Sequence, residues 1–188
     1  MRFHIPLILA ISAIAQASPV AAPHELVRRD GAAVIDAVNT ITESMITLND
    51  TVTAYKGGIL GTFTALKIEF QSIALSNDLR DAISTTKSSA NFTEDESLNV
   101  SAAFLELQPN IDSTLDNIVS KKPQFDNGLL GIGSLGFLVK SNLEKQRDLA
   151  GELGDAVVLK LTKTYAVIAP LLNAQIKAKF DEAIAAFE

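Results

Sequence analysis

Val34, Val38, Ile41, Met45, Leu48, Val52 and Tyr55 recur in steps of four and three, and that rhythm constrains the fold more tightly than any other feature of the chain. At 3.6 residues per turn it puts these side chains on one helix face about 30 Å long, which other elements must cover. Gly57-Gly58 ends the run. A second helix is predicted from Ile59, Phe63, Leu66, Phe70 and Ile73, continuing less strictly through Leu79 and Ile83. The Ser/Thr/Asn-rich stretch 84–91 then reads as a loop. Thr93-Glu94-Asp95-Glu96 has the form of a capping box, which opens a third helix where the helix dipole also favours the three acids. Pro109 is expected to kink that helix, Ile111, Leu115 and Ile118 continue its apolar face, and Lys121-Lys122-Pro123 end it.

A Gly-rich apolar loop from Asn127 to Gly136 leads to a fourth helix carrying Val139, Leu143, Ala150, Leu153 and Val157. A fifth carries Ile168, Leu172, Ile176, Phe180, Ile184 and Phe187, with Pro170 near its start, where a missing N–H is tolerated. No segment reads better as strand than as helix. The fold class expected is all-α, a single-domain bundle of about five helices.

The ends of the chain point to the secretory route. Arg2 precedes an apolar run from Ile5 to Ala15, and Ala15-Gln16-Ala17 offers the small residues a signal peptidase needs. That run falls short of the ~20 residues that span a bilayer. Cleavage is expected after Ala17, leaving 18–29 as a propeptide removed at the dibasic pair Arg28-Arg29, so that residues 30–188 form the mature domain. Three glycosylation sequons begin at Asn49, Asn91 and Asn99, and Asn91 is favoured because it falls in the loop.

From Asp30 onward the chain has no histidine, cysteine or tryptophan, since His4 and His24 precede that point. An imidazole base, a thiol nucleophile and soft metal ligands are therefore missing. A Ser-His-Asp mechanism has no histidine to use, no Ser sits in a G-x-S-x-G elbow, and no carboxylate pair stands out by spacing. No enzyme activity, cofactor or metal is expected. Calcium binding at Glu94, Asp95 and Glu96 is the sharper reading of the acid cluster, and helix capping the simpler one. Gly131 to Gly136 matches G-x-G-x-x-G, but that motif binds dinucleotides only between a strand and a helix. Here it reads as a mobile connection whose Leu129, Leu130, Ile132 and Leu135 turn inward, able to serve as a lid over an apolar cavity.

The net charge is −6, and loss of Arg2, Glu25, Arg28 and Arg29 makes it −8. An acidic chain without basic clusters is a poor partner for nucleic acid or anionic membranes. Helical spacing of the eight Phe residues beyond Asp30 is more often core packing than ligand lining. Composition alone stops at a secreted helical bundle.

Further residues carry a resemblance. Arg28-Arg29-Asp30 followed by Val34-Ile35-Asp36-Ala37-Val38-Asn39-Thr40-Ile41, then Lys121-Lys122-Pro123-Gln124-Phe125, form the first part of the pattern. Leu149-Ala150-Gly151-Glu152-Leu153-Gly154-Asp155-Ala156 and the ending Phe180-Asp181-Glu182-Ala183-Ile184-Ala185-Ala186-Phe187 complete it. In these the chain resembles the fungal hydrophobic surface-binding protein A family, which overlaps the cell wall galactomannoproteins. The resemblance implies a secreted or wall-associated helical domain that binds hydrophobic surfaces and, in some members, a fatty acid between helices. The chain lacks the Ser/Thr-rich tail of wall-linked members, which favours release into the medium. On the carrier reading, Phe63, Leu66, Phe70 and Ile73 with Phe104, Leu115 and Phe137 are expected to line a channel beneath the 128–136 loop. On the alternative reading the chain is a surface-active coat or adhesion protein with no specific lipid site.

Overall fold

The computed structural model describes residues 24–128 and 134–188, with side chains from Asp30 onward. Its elements are α1 (His24–Ala54), α2 (Gly58–Ser88), α3 (Glu94–Ser120), α4 (Lys122–Asp126), α5 (Gly136–Val158), α6 (Lys163–Ala166) and α7 (Ala169–Ala185). Among the described residues there are seven helices where about five are expected. The five long ones are those the periodicity marks, and α4 and α6 are single turns too short to show a period. Among the described residues there is no strand, and no helix is long and apolar enough to cross a membrane.

The long helices close into a ring in which α1 packs on α2, α2 on α5, α5 on α7, α7 on α3 and α3 on α1. Successive long helices run in opposite directions. Ser44 donates to Asp78 across α1 and α2, Asn49 to Ser113 across the parallel pair α1 and α3, and Asn173 to Asp155 across α5 and α7. The α1 stripe sits at the centre of this ring, and all its members from Val34 to Tyr55 are buried. Burying such aliphatic side chains stabilises by roughly 1.5–3 kcal/mol each, so α1 anchors the core.

The α1–α2 turn needs its glycines. Gly57 has φ +70° and Gly58 φ +65°, and a Cβ on Gly57 would lie 2.8 Å from the Gln124 carbonyl oxygen. The chain therefore turns directly against α4. There the Tyr55 hydroxyl donates to that same carbonyl at 3.3 Å, its ring lies 4.8 Å from Phe125, and Phe187 meets Phe125 edge-on at 6.1 Å. Burial pushes the Tyr55 phenol above its ordinary pKa.

The capping box forms as read. Glu96 N–H donates to the Thr93 hydroxyl, and Thr93 N–H donates to Glu96 Oε2 at 2.9 Å. Glu96 is buried, and its other oxygen accepts from Gly31 N–H at 3.3 Å, stitching the start of α1 to the start of α3. That carboxylate is fully engaged in structure. α3 continues through Pro109 to Ser120.

Helix α2 turns the opposite way from the expected face. Its buried residues include Gly61, Ile68, Ser72, Leu75, Ser76, Leu79, Ala82 and Ile83, whereas Phe63 is 85% and Phe70 62% exposed, with Ile59, Leu60, Leu66 and Ile73 exposed beside them. The reason is close approach. Gly61 lets the Tyr55 ring pack where a Cβ would sit, and Ser72 offers its carbonyl to the buried Gln146 of α5 at 3.3 Å. The packed face combines these small residues with Ile68, Leu75, Leu79 and Ile83, and the stripe from Ile59 to Ile73 is left outside.

Candidate functional site

α3 and α7 are pinned together by Lys179, whose ammonium lies 2.7 Å from Asp116. This hydrogen bond raises the Lys179 pKa above its usual value. Toward the other end of the pair an apolar groove of about 270 Å³ opens between α3, α5, α6 and α7. α3 supplies Leu98, Ser101, Ala102, Phe104 and Leu105, and α5 supplies Ala150, Gly154 and Val157. Leu161 and Tyr165 come from the α5–α6 region, and Ile168, Ala169, Leu172, Asn173 and Ile176 from the start of α7 and the residue before it.

The groove exists because the facing residues are small. Ser101, Ala102, Ala150 and Gly154 leave the space that larger side chains would fill. Gly154 also admits the Asn173 side chain, whose Cγ lies 2.5 Å from the place a Cβ would take. Leu98, Leu105 and Ile168 are more than half exposed, so the rim is apolar as well as the walls. Among the described residues the polar side chains in the lining are Ser101, Tyr165 and Asn173. An engineered cavity of about 150 Å³ holds a benzene ring, so a space of about 270 Å³ has room for roughly eleven carbon atoms.

Phe104, Ala150 and Ile176 form the groove's inner wall and also border a void of about 30 Å³ at the bundle centre, among Ile41, Leu75 and Phe180. A separate void of about 30 Å³ lies between α2 and α5 beside Leu135, Ala65 and Ile68. A void of this size holds only a water or two, and residues 129–133 of the loop expected to cover a channel here lie outside the described residues.

The sequence-predicted site residues therefore separate. Phe104 lines the groove. Leu115 is buried in the core, Phe63, Leu66, Phe70 and Ile73 form an exposed stripe on α2, and Phe137 is exposed at the start of α5. The structure does not bring these seven together in one cavity. Tyr165, Leu161, Leu172, Asn173 and Ala102 were not picked out as site residues, and the signal for them was the small-residue spacing of Ala150 and Gly154 on α5. Leu129, Leu130 and Ile132 lie outside the described residues, as does Ala17, while Arg28 and Arg29 fall in the first turns of α1. The G-x-G-x-x-G stretch follows helix α4, so no strand leads into it.

Among the sequons, Asn91 is exposed in the α2–α3 connection and Asn99 is exposed on α3. Asn49 is half-buried, and its Oδ1 accepts from Asn117 at 2.7 Å. Among the described residues no three His, Cys, Asp or Glu side chains gather as metal ligands.

Fold and groove together define a ring of five long helices with an apolar pocket in its side. Residues 31–159 match the family described as hydrophobic surface binding protein A, and the chain belongs to that family. It is 24% identical over 188 residues to cell wall mannoprotein 1 of Aspergillus flavus, spanning all of this chain and 63% of that relative's length. The crystal structure of AFMP4P in complex with palmitic acid superposes with a TM-score of 0.77 at 28% identity, covering 84% of this chain and 99% of that one. Ligand binding domain 1 of the Penicillium marneffei MP1 protein, complexed with arachidonic acids, gives a TM-score of 0.73 at 22% identity, over 81% of this chain and 95% of that one, and supports the fold.

Proposed function

We propose that this chain holds a single long-chain lipid, a fatty acid or a close analogue, in the groove between α3, α5, α6 and α7, without catalysing a reaction. The observation that carries this is the lined space of about 270 Å³ with apolar walls and an apolar rim. Each buried methylene contributes roughly 0.8 kcal/mol, so binding needs no charged anchor. The palmitic acid complex of the 28% identical neighbour supports the same ligand class. Ala102→Trp tests the placement, because Ala102 is exposed on α3 and a large ring there fills the groove without entering the core. Palmitate affinity of the delipidated variant should fall at least tenfold with helicity unchanged. Unaltered affinity would move the site elsewhere.

A second reading, adsorption to hydrophobic surfaces, is favoured by the exposed α2 stripe of Ile59, Leu60, Phe63, Leu66, Phe70 and Ile73. Contiguous apolar surface of this kind marks an interaction face. Its test is a Phe63→Ser, Phe70→Ser double variant, which should adsorb less to polystyrene while keeping its lipid affinity.

Both readings place the protein outside the cell, with cleavage after Ala17 and after Arg29. Asp30 fits the role of first residue because its carboxylate already accepts from Ala90 N–H at 3.0 Å, and Gly31 is tied to Glu96. Asn91 and Asn99 are the accessible glycan acceptors, and Asn49 is the poorest because its amide is engaged.

A further inference from the structure

α2 carries two apolar faces on opposite sides of one helix. Gly61, Ile68, Leu75 and Ala82 recur every seven residues along the buried side, and α2 packs there on α1 and α5. On the other side Ile59, Phe63, Leu66, Phe70 and Ile73 recur in steps of four and three, and all five are exposed. That spacing is a heptad seam of two repeats, about 21 Å long, with each seam place filled by Ile, Leu or Phe. Its ends are defined. The Gly57-Gly58 turn precedes it, and Asn77 and Arg80 take the next two places of the repeat, where Arg80 donates to Asn77 Oδ1 at 3.0 Å.

The face is large enough to need a partner. With Leu60 beside the first turn, six residues are each between 42% and 94% exposed. At about 200 Å² for a whole residue of this size, they present roughly 800 Å². Soluble monomers rarely leave more than a few hundred Å² of contiguous apolar surface uncovered. A standard interface takes about 800 Å² from each partner and a specific one needs about 1,000 Å² in total, so covering about two thirds of this face is enough.

The pattern also says what covers it. A 3.5-residue repeat is the pattern that fits a second helix, and one such seam is complementary to its own copy about a two-fold axis. Over two heptads it drifts by about 40°, which the shallow crossing of paired helices, near 20°, accommodates. Charge does not oppose the pairing. The charged residues between Ile59 and Ile73 are Lys67 and Glu69, so the seam is locally neutral although the chain carries −6.

We propose that two copies of this chain associate through the exposed α2 seam, each covering the stripe of the other in a two-fold helix pair. This goes beyond lipid binding, which uses the groove on the far side of α5. It gives the stripe an occupant in water, so that dimerisation and adsorption to a solid compete for one face.

Sedimentation velocity on the delipidated secreted chain tests this. Interfaces of this size bind with micromolar affinity or tighter, so the series runs from about 1 to about 100 µM. A species of twice the monomer mass should gain share with concentration, and nothing larger should follow. Leu66→Glu at the centre of the seam, and separately Phe70→Lys, should stay monomeric throughout with wild-type helicity, since both side chains face solvent in the single chain. Leu159→Glu, at an exposed apolar residue off the stripe, should dimerise as wild type does. A wild type that stays monomeric to the top of the series overturns the proposal, while palmitate titration and polystyrene adsorption still decide the two earlier readings by themselves. Association that continues past two copies overturns it in favour of non-specific clustering. Dimerisation that survives in a folded seam variant, or that is lost in Leu159→Glu, places the interface elsewhere and overturns it as well.

Discussion

The volume of the groove sets a chain-length rule that can be measured. With room for roughly eleven carbons, each methylene added up to that length should contribute about 0.8 kcal/mol, close to a fourfold gain in affinity per carbon. Beyond it, further carbons lie over the rim at Leu98, Leu105 and Ile168 and bury less surface, so the gain per carbon should fall away. A series of saturated fatty acids from C8 to C18, each titrated into delipidated protein, should give a steep limb that bends between about C10 and C12. Phe104→Ala is the matching perturbation. Phe104 stands between the groove and the central void, and removing its ring joins the two spaces. The bend should then move out by about six carbons, the size of the ring removed, while the half-buried position limits the loss of stability to about 3 kcal/mol. The measurement is the slope of log affinity against carbon number, with unfolding midpoints recorded for both proteins. A slope near zero throughout would refute the groove and favour non-specific adsorption. A steep slope unbroken to C18 in the wild type would show that Phe104 is not the end wall.

Thr93→Ala removes the capping hydroxyl and should cost about 1 kcal/mol in urea unfolding; an effect near zero would mean that Glu96 alone holds the start of α3. Tyr55→Phe tests the buried phenol. Because burial holds the folded pKa above the unfolded value, the stability linked to Tyr55 is full below about pH 10 and is lost as pH rises toward the folded pKa, so the variant should unfold at a higher pH than wild type. In glycopeptide mapping of secreted protein, Asn91 should be occupied in a larger fraction of molecules than Asn49, and the reverse order would contradict the packing of Asn49 against Asn117.

Periodicity served well where one helix face is unambiguous. On α1 the seven residues Val34, Val38, Ile41, Met45, Leu48, Val52 and Tyr55 share a phase, and each is buried, while Ile35 and Ile46 lie off the stripe. On α2 the same pattern misled, although the sequence held a warning. Leu79 lies six residues past Ile73, which puts it on another side of the helix, so Leu75, Leu79 and Ile83 belong to a different stripe from Phe63 and Phe70. Counting large apolar residues selected the louder stripe, yet helices approach closest where residues are small, at Gly61, Ser72 and Ser76. The capping box was legible because it is local, with both partners three residues apart. The groove was not. It is made of missing volume, assembled from Ala102 on α3 facing Ala150 and Gly154 on α5, and the spacing along one helix does not record what faces it across a gap.

The two apolar features need not compete for the same molecule. α2 packs on α1 and α5 and turns its stripe outward, while the groove mouth is framed by α3, α6 and the start of α7. α5 borders both, but with different residues: Leu143 and Gln146 meet α2 near Ser72, whereas Ala150 and Gly154 face the groove. A protein lying on a hydrophobic solid by its α2 face therefore keeps the groove free, and a ligand in the groove leaves the stripe exposed. Linkage gives this a measurable form, because sites that do not interact have a coupling free energy near zero. Adsorption isotherms on polystyrene should coincide for lipid-loaded and delipidated protein. Should lipid instead suppress adsorption by tenfold or more, the adsorbing surface would have to include the groove rim, Leu98, Leu105 and Ile168, in place of the α2 stripe.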